Sequence, residues 1–217
     1  MDSDLHKLSL HELEEVFQEV FDMYPDYTVI DATYKFAKEA HGDQKRAGGK
    51  PYIIHPLRMI VIMYRDFKIK DRLMLQGALL HDVVEDTDYS QEYIVENYGE
   101  KVADYVRQLT RERVHDEDNR PNAKFEAKKA KFAKQLNSPV KVRMIKAIDL
   151  IDQMYDWLEI PKDDDITNKF PRWMFEAKEF YLPLARSIGP KFAKPMQVVL
   201  SEMKSRGFRA GNGEFDA

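Results

Sequence analysis

Three separated stretches of this 217-residue chain carry side chains of the kind that hold a metal ion. His55 stands beside Pro56 in a turn-rich stretch, just before an expected helix. His81 and Asp82 are adjacent, with Ala78-Leu79-Leu80 before them and Val83-Val84 after. Asp149 lies between Ile148 and Leu150-Ile151. A carboxylate among apolar neighbours is costly to bury unless it is paired or metal-bound. Taken singly, each stretch has a blander reading: a satisfied loop histidine, a common dipeptide, a buried ion-pair partner. The combination is what is specific. Two imidazoles and two carboxylates suit Mn²⁺, Fe²⁺ or Zn²⁺ better than Ca²⁺, which takes all-oxygen sites.

Glu85 is four residues after His81, and Asp86 four after Asp82. On a continuous helix each stacks one turn above a proposed ligand. Such a crowd repels itself without a cation. With one it becomes a ligand shell beside a general base for water. The blander alternative is an exposed helix end, where acids oppose the macrodipole. The remaining histidines, His6, His11, His41 and His115, stand in polar or terminal surroundings and are expected to be surface or structural groups.

The elements that must position these residues read as helices throughout, and the expected class is all-α. Ser9 and Glu12 form a capping-box pattern ahead of Leu13, Val16, Phe17, Val20 and Phe21 at helical spacing, and Pro25 ends that helix. A second helix is expected over 27–40 with Val29, Ala32, Phe36 and Ala40 inward. Gly42, Gly48, Gly49, Pro51 and Pro56 mark a loop, with Pro56 placed to start the next helix, over 57–67. Helices are then expected over 71–84, from Ser90 to Gly99, and over 140–157. The charged stretch 111–122 reads as a loop, and the Lys- and Ala-rich run 123–135 as a solvated amphipathic helix. Two more helices, split near Gly189-Pro190, complete one domain over 1–210, and 211–217 is expected to be a flexible tail.

Composition narrows the function. Hydrophobic residues make up 43%, a globular proportion, and a net charge of −4 leaves no broad basic field for long nucleic acid. A small anionic ligand needs only a local cluster of cations. With no cysteine, thiol catalysis and zinc knuckles are excluded, and a reducing cytoplasm fits. The acidic start is unlike a secretory signal, and no apolar run approaches the roughly 20 residues that span a bilayer. No Gly-rich loop ending in Lys-Ser or Lys-Thr is present.

Several segments resemble the RelA/SpoT-type hydrolase domain. His41-Gly42-Asp43-Gln44-Lys45-Arg46 followed by Gly49-Lys50-Pro51-Tyr52-Ile53-Ile54-His55-Pro56 is similar to its opening motif. The run from Ala78 to Thr87, containing His81-Asp82 and Glu85-Asp86, resembles its second motif almost letter for letter. Lys146-Ala147-Ile148-Asp149 is similar to its Lys-Leu-Ala-Asp segment, and Tyr181-Leu182-Pro183-Leu184-Ala185 to its Tyr-Ala-Pro-Leu-Ala segment. The resemblance covers about residues 30 to 190. It implies a small, hydrolase-only member with a helical HD fold that binds Mn²⁺ and removes pyrophosphate from the 3′ position of ppGpp or pppGpp. His55, His81, Asp82 and Asp149 would be the ligands, Glu85 and Asp86 the water activators, and Arg46 a neighbour of the guanine base. Lys45 and Lys146 are further candidates for phosphate contact.

This chain departs from the family around the nucleotide. Ala47-Gly48 replaces a cation and a hydroxyl, Gln153 replaces an asparagine that contacts substrate, and Asp156 stands where the family has threonine. Two alternatives therefore stand beside alarmone hydrolysis. One is a hydrolase for another phosphorylated nucleotide, a 3′-phosphate or an NADP(H)-like molecule. The other is a non-catalytic nucleotide-binding regulator, against which the Glu85-Asp86 pair speaks.

Overall fold

Ser9 opens the first long helix as the sequence predicts. Its side chain accepts from the Glu12 N–H, and the Glu12 carboxylate accepts from the Ser9 N–H at 2.7 Å. The computed structural model describes residues 3–46, 49–110 and 123–211, and among these the regular structure is helical, with one isolated bridge between Lys45 and Pro51. The expected loop at 111–122 lies outside the described residues, as do residues 212–217 of the expected tail.

The chain groups into two compact units, Met1–Arg111 and Glu112–Ala217. The first contains α1 (Leu10–Phe21), α2 (Tyr27–His41), α3 (Ile54–Arg65), α4 (Arg72–Leu80), α5 (Val83–Asp86), α6 (Gln91–Tyr98) and α7 (Glu100–Leu109). Helix α3 is its centre. Every residue from Ile54 to Met63 is buried, which is the pattern of a helix covered on all sides. Helix α1 packs on α3, α3 on α4, α4 on both α2 and α7, and α2 also meets α5.

Three expectations need correction here. Helix α2 buries Ile30, Thr33, Tyr34, Ala37 and His41, whereas Val29 and Ala32 are exposed and Phe36 and Ala40 are half-buried. The inward face is rotated because its polar groups find partners. Thr33 Oγ1 donates to the Val29 carbonyl at 2.8 Å and accepts from Gln76 Nε2 at 3.1 Å, and the Tyr34 hydroxyl donates to Glu14 at 2.5 Å. Once satisfied, such groups can be buried. Phe36 instead joins a cluster with Tyr89, Tyr93 and Tyr98.

Helix α3 begins at Ile54, so His55 lies in its first turn and not in the preceding loop. Pro56 is tolerated there because first-turn N–H groups have no intrahelical acceptor. The expected helix over 71–84 breaks at His81-Asp82. His81 Nδ1 lies 2.9 Å from the Ala78 carbonyl, one of the acceptors a helix end leaves open. Asp82 sits at φ −104°, ψ −2°, and the short α5 follows. Glu85 and Asp86 therefore belong to a new turn, and the macrodipole objection to an exposed pair loses its basis.

Close packing fixes the helix that presents His81. A Cβ built on Gly77 of α4 would meet the Cβ of buried Tyr105 on α7 at 3.0 Å. That atom is tied to the backbone and cannot swing aside. For Gly77→Ala, overpacking of about 1–3 kcal/mol outweighs a helix-propensity gain of about 1 kcal/mol. A lowered Tm is the expected result in thermal unfolding.

The second unit contains α8 (Ala123–Leu136), α9 (Val140–Glu159), α10 (Phe170–Glu176), α11 (Leu182–Ile188) and α12 (Pro190–Ser205), with a π turn over Ala177–Tyr181 joining α10 to α11. Helix α9 packs on α11 and α12. Arg206 closes its C-terminal end by donating to the carbonyls of Leu158 at 2.9 Å and Ile160 at 2.7 Å. Among the described residues, no helix is long and apolar enough to cross a membrane.

Candidate metal centre

In the first unit, His55 projects from the first turn of α3, while His81 and Asp82 sit at the break after α4. One ligand-type atom from each lies within 4.8 Å of the others. Ligand atoms around a first-row ion stand roughly 3–4 Å apart at bond lengths of about 2.1 Å, so small inward shifts complete the set. Both imidazoles are buried, with ring centres 5.3 Å apart.

Donor chemistry fits a cation. Because His81 Nδ1 faces the Ala78 carbonyl, that nitrogen carries the proton in the neutral ring, leaving a lone pair on Nε2. Nε2 lies 2.8 Å from Asp82 Oδ2. A lone pair and a carboxylate oxygen at that distance repel one another unless a proton or a cation is shared between them. The Tyr52 hydroxyl donates to the same Asp82 oxygen and orients it.

Around this cluster lies a layer of residues that the opening motif contains but to which the sequence alone assigns no role at the site. His41, expected to be surface or structural, is buried beneath the Tyr52 ring at 4.6 Å. Its Nδ1 pairs with Gln44 Oε1 at 2.9 Å, and Gln44 Nε2 donates to the Asp86 carbonyl at 2.6 Å. Burial holds the His41 pKa below the ordinary imidazole value, although Gln44 and Asp82 pull the other way. His41 thus serves as a neutral strut, and Gln44 ties α2 to the end of α5. His6 is also buried, His11 is exposed, and His115 lies outside the described residues. Arg58 is fully buried one turn on from His55, and an arginine inside an otherwise apolar helix was the available signal for it.

Other predicted site residues are placed as follows. Glu85 is half-buried and Asp86 exposed on α5. Lys45 is exposed, and half-buried Arg46 holds its guanidinium 6.0 Å from the Tyr52 ring centre. Ala47 and Gly48 lie outside the described residues. In the second unit, Asp149 is buried in α9 with Lys146 Nζ at 2.5 Å. Asp152, one turn further along, is fully buried, while Gln153 is exposed.

Loss of the hydroxyl in Tyr52→Phe removes the bond that orients Asp82. Outer-layer partners of metal ligands typically contribute about 10- to 100-fold in affinity. Calorimetric Mn²⁺ titration of Tyr52→Phe should show weakening in that range with the helical content unchanged.

A chain whose described elements are helical, and which brings His55 of α3 to His81 and Asp82 at a helix break, has the makings of a metal-binding domain. It belongs to the HD domain family, whose model matches residues 33–189. The chain is 30% identical over 201 residues to the guanosine-3′,5′-bis(diphosphate) 3′-pyrophosphohydrolase of Vibrio cholerae, covering 91% of this chain and 26% of that protein. It is 42% identical over 108 residues to the protein of the same name from Aquifex aeolicus, covering 49% of this chain and 15% of that one. The chain thus spans about a quarter or less of the length of these curated relatives. Its fold matches that of a metazoan ortholog of SpoT described as hydrolysing ppGpp and acting in starvation responses. That match has a TM-score of 0.66 and 23% identity, covering 82% of this chain and 95% of the other.

Proposed function

We propose that the chain is a divalent-metal-dependent hydrolase that converts (p)ppGpp to GDP or GTP and pyrophosphate. The carrying observation is the convergence of His55, His81 and Asp82 immediately before the Glu85-Asp86 turn. Similarity to named pyrophosphohydrolases supports the choice of substrate. The three converged residues would hold the ion, Mn²⁺ in this reading, with Asp149 as fourth ligand on the strength of its motif and its burial. When bound, the ion supplies Lewis acidity at the phosphoryl group and eases deprotonation of water.

The chain's own groups do the rest. Glu85 or Asp86 accepts the proton of the attacking water. The water oxygen bonds to the phosphorus nearest the ribose, the bond from that phosphorus to O3′ breaks, and O3′ takes a proton. Lys45, Arg46 and Lys146 balance phosphate charge, Arg46 beside the base, and Gln153 contacts the nucleotide. A cysteine-free chain suits work in a reducing cytoplasm.

Exposed Gln153 and half-buried Asp156, on the α9 segment that departs from the family, favour a second reading. In it, another 3′-phosphorylated nucleotide or an NADP(H)-like molecule is the substrate. Product analysis decides between them. Pure protein with Mn²⁺ should release pyrophosphate from ppGpp. Release of orthophosphate from the other nucleotides, with ppGpp untouched, would establish the second reading. Binding without turnover of any nucleotide would make the chain a regulator.

A further inference from the structure

The turn that carries Arg46 is fastened at its base. Lys45 bridges to Pro51, the Arg46 N–H donates to the Lys50 carbonyl at 2.9 Å, and the Tyr52 N–H donates to the Gln44 carbonyl at 2.8 Å. Lys50 also reaches the other way. Its Nζ donates to the carbonyls of His6 at 2.7 Å and Leu8 at 3.3 Å. Those carbonyls belong to a short segment ahead of α1 that is itself anchored, with Leu5 and His6 both buried. One residue therefore holds the arginine's backbone with its carbonyl and the N-terminal segment with its side chain.

We infer that Lys50 and the docked segment Ser3–Leu8 form a clasp that positions Arg46, so that residues remote from the metal set nucleotide affinity. This rests on the reading of Arg46 as a nucleotide contact. Lys50 is a positioning residue and touches no substrate. An ammonium shared by two main-chain carbonyls restrains the turn without entering the site, and the backbone bond to Arg46 transmits that restraint. Loosening the clasp leaves the metal ligands and the Glu85-Asp86 turn where they are. Its effect falls on KM and spares kcat.

Two variants and two readouts test this. Lys50→Met keeps the carbonyl bond to Arg46 but releases the N-terminal segment. Leu5→Ala loosens the same segment without changing any charge. Each should speed hydrogen exchange across residues 45–50 while leaving Tyr52, α3 and α4 protected, since Tyr52 keeps its own bonds to the Gln44 carbonyl and to Asp82. Each should also raise KM for ppGpp about threefold to tenfold, the range one hydrogen bond supplies, at unchanged kcat and metal content. Lys50→Arg should recover most of the loss. Unchanged exchange and KM in Lys50→Met would overturn the clasp. A rise in KM for Lys50→Met but not for Leu5→Ala would overturn it too, since Lys50 would then be contacting phosphate directly. If the unmodified protein does not turn over ppGpp, the substrate reading fails, and the exchange measurement alone decides the clasp.

Discussion

His81→Ala is expected to abolish both metal uptake and turnover. Unmodified protein should carry or take up about one divalent transition ion per chain, through nitrogen and oxygen donors only. The histidine sits at the break between α4 and α5, with one ring nitrogen fixed on the Ala78 carbonyl and the other 2.8 Å from Asp82. Alanine removes one of the two buried imidazoles of the proposed metal set, and Asp82 with Tyr52 cannot replace its nitrogen donor. Asp82→Ala removes the oxygen that Tyr52 orients and should give the same outcome. Activity in both should fall to background even at high Mn²⁺, and metal analysis after gel filtration should find most of the ion gone. Circular dichroism guards against simple unfolding, because both substitutions fall at a helix end. Full turnover by metal-stripped protein in excess chelator would sink the metal reading.

Much of this site is legible in the residues because its chemistry makes them unusual where they stand. His81-Asp82 between Leu80 and Val83 are polar groups in an apolar run, and His81 is buried; Asp149, between Ile148 and Leu150 in the second unit and proposed as a ligand from its motif, stands out in the same way and is also buried. The helical class is legible from apolar spacing and from caps such as Ser9 and Ser90, each of which accepts a backbone N–H as its position implies. What was missed depended on partners distant in sequence. The inward face of α2 turns on Thr33 meeting Gln76 and Tyr34 meeting Glu14, pairs that no local periodicity reveals. The layer of His41, Gln44 and Tyr52 is similar. Its residues sit in a polar, turn-rich stretch that reads as loop, and only the return of the chain through α4 and α5 gives them work. The break at His81 leaves no mark in the sequence, because the apolar pattern continues across it and the contact found there joins a side chain to a carbonyl of its own helix.

Glu85→Gln and Asp86→Asn should separate bond-breaking from binding. The backbone of α5 has hydrogen bonds of its own. The Asp86 N–H donates to the Asp82 carbonyl at 2.8 Å, and the Asp86 carbonyl accepts from Gln44 at 2.6 Å. Amide replacements of nearly equal shape therefore leave the turn, the ligands and the substrate contacts in place while removing the capacity to take a proton. Where the carboxylate activates water, turnover should drop roughly 10²-fold or more at unchanged metal content and nucleotide Kd. Half-buried Glu85 is better shielded from bulk water than exposed Asp86, so the larger loss is expected for Glu85→Gln. Single-turnover rates and metal stoichiometry measured on the same preparations check each part. If raising Mn²⁺ restores the activity of either variant, that carboxylate is a ligand or a structural support, and the attacking water must be activated by another group.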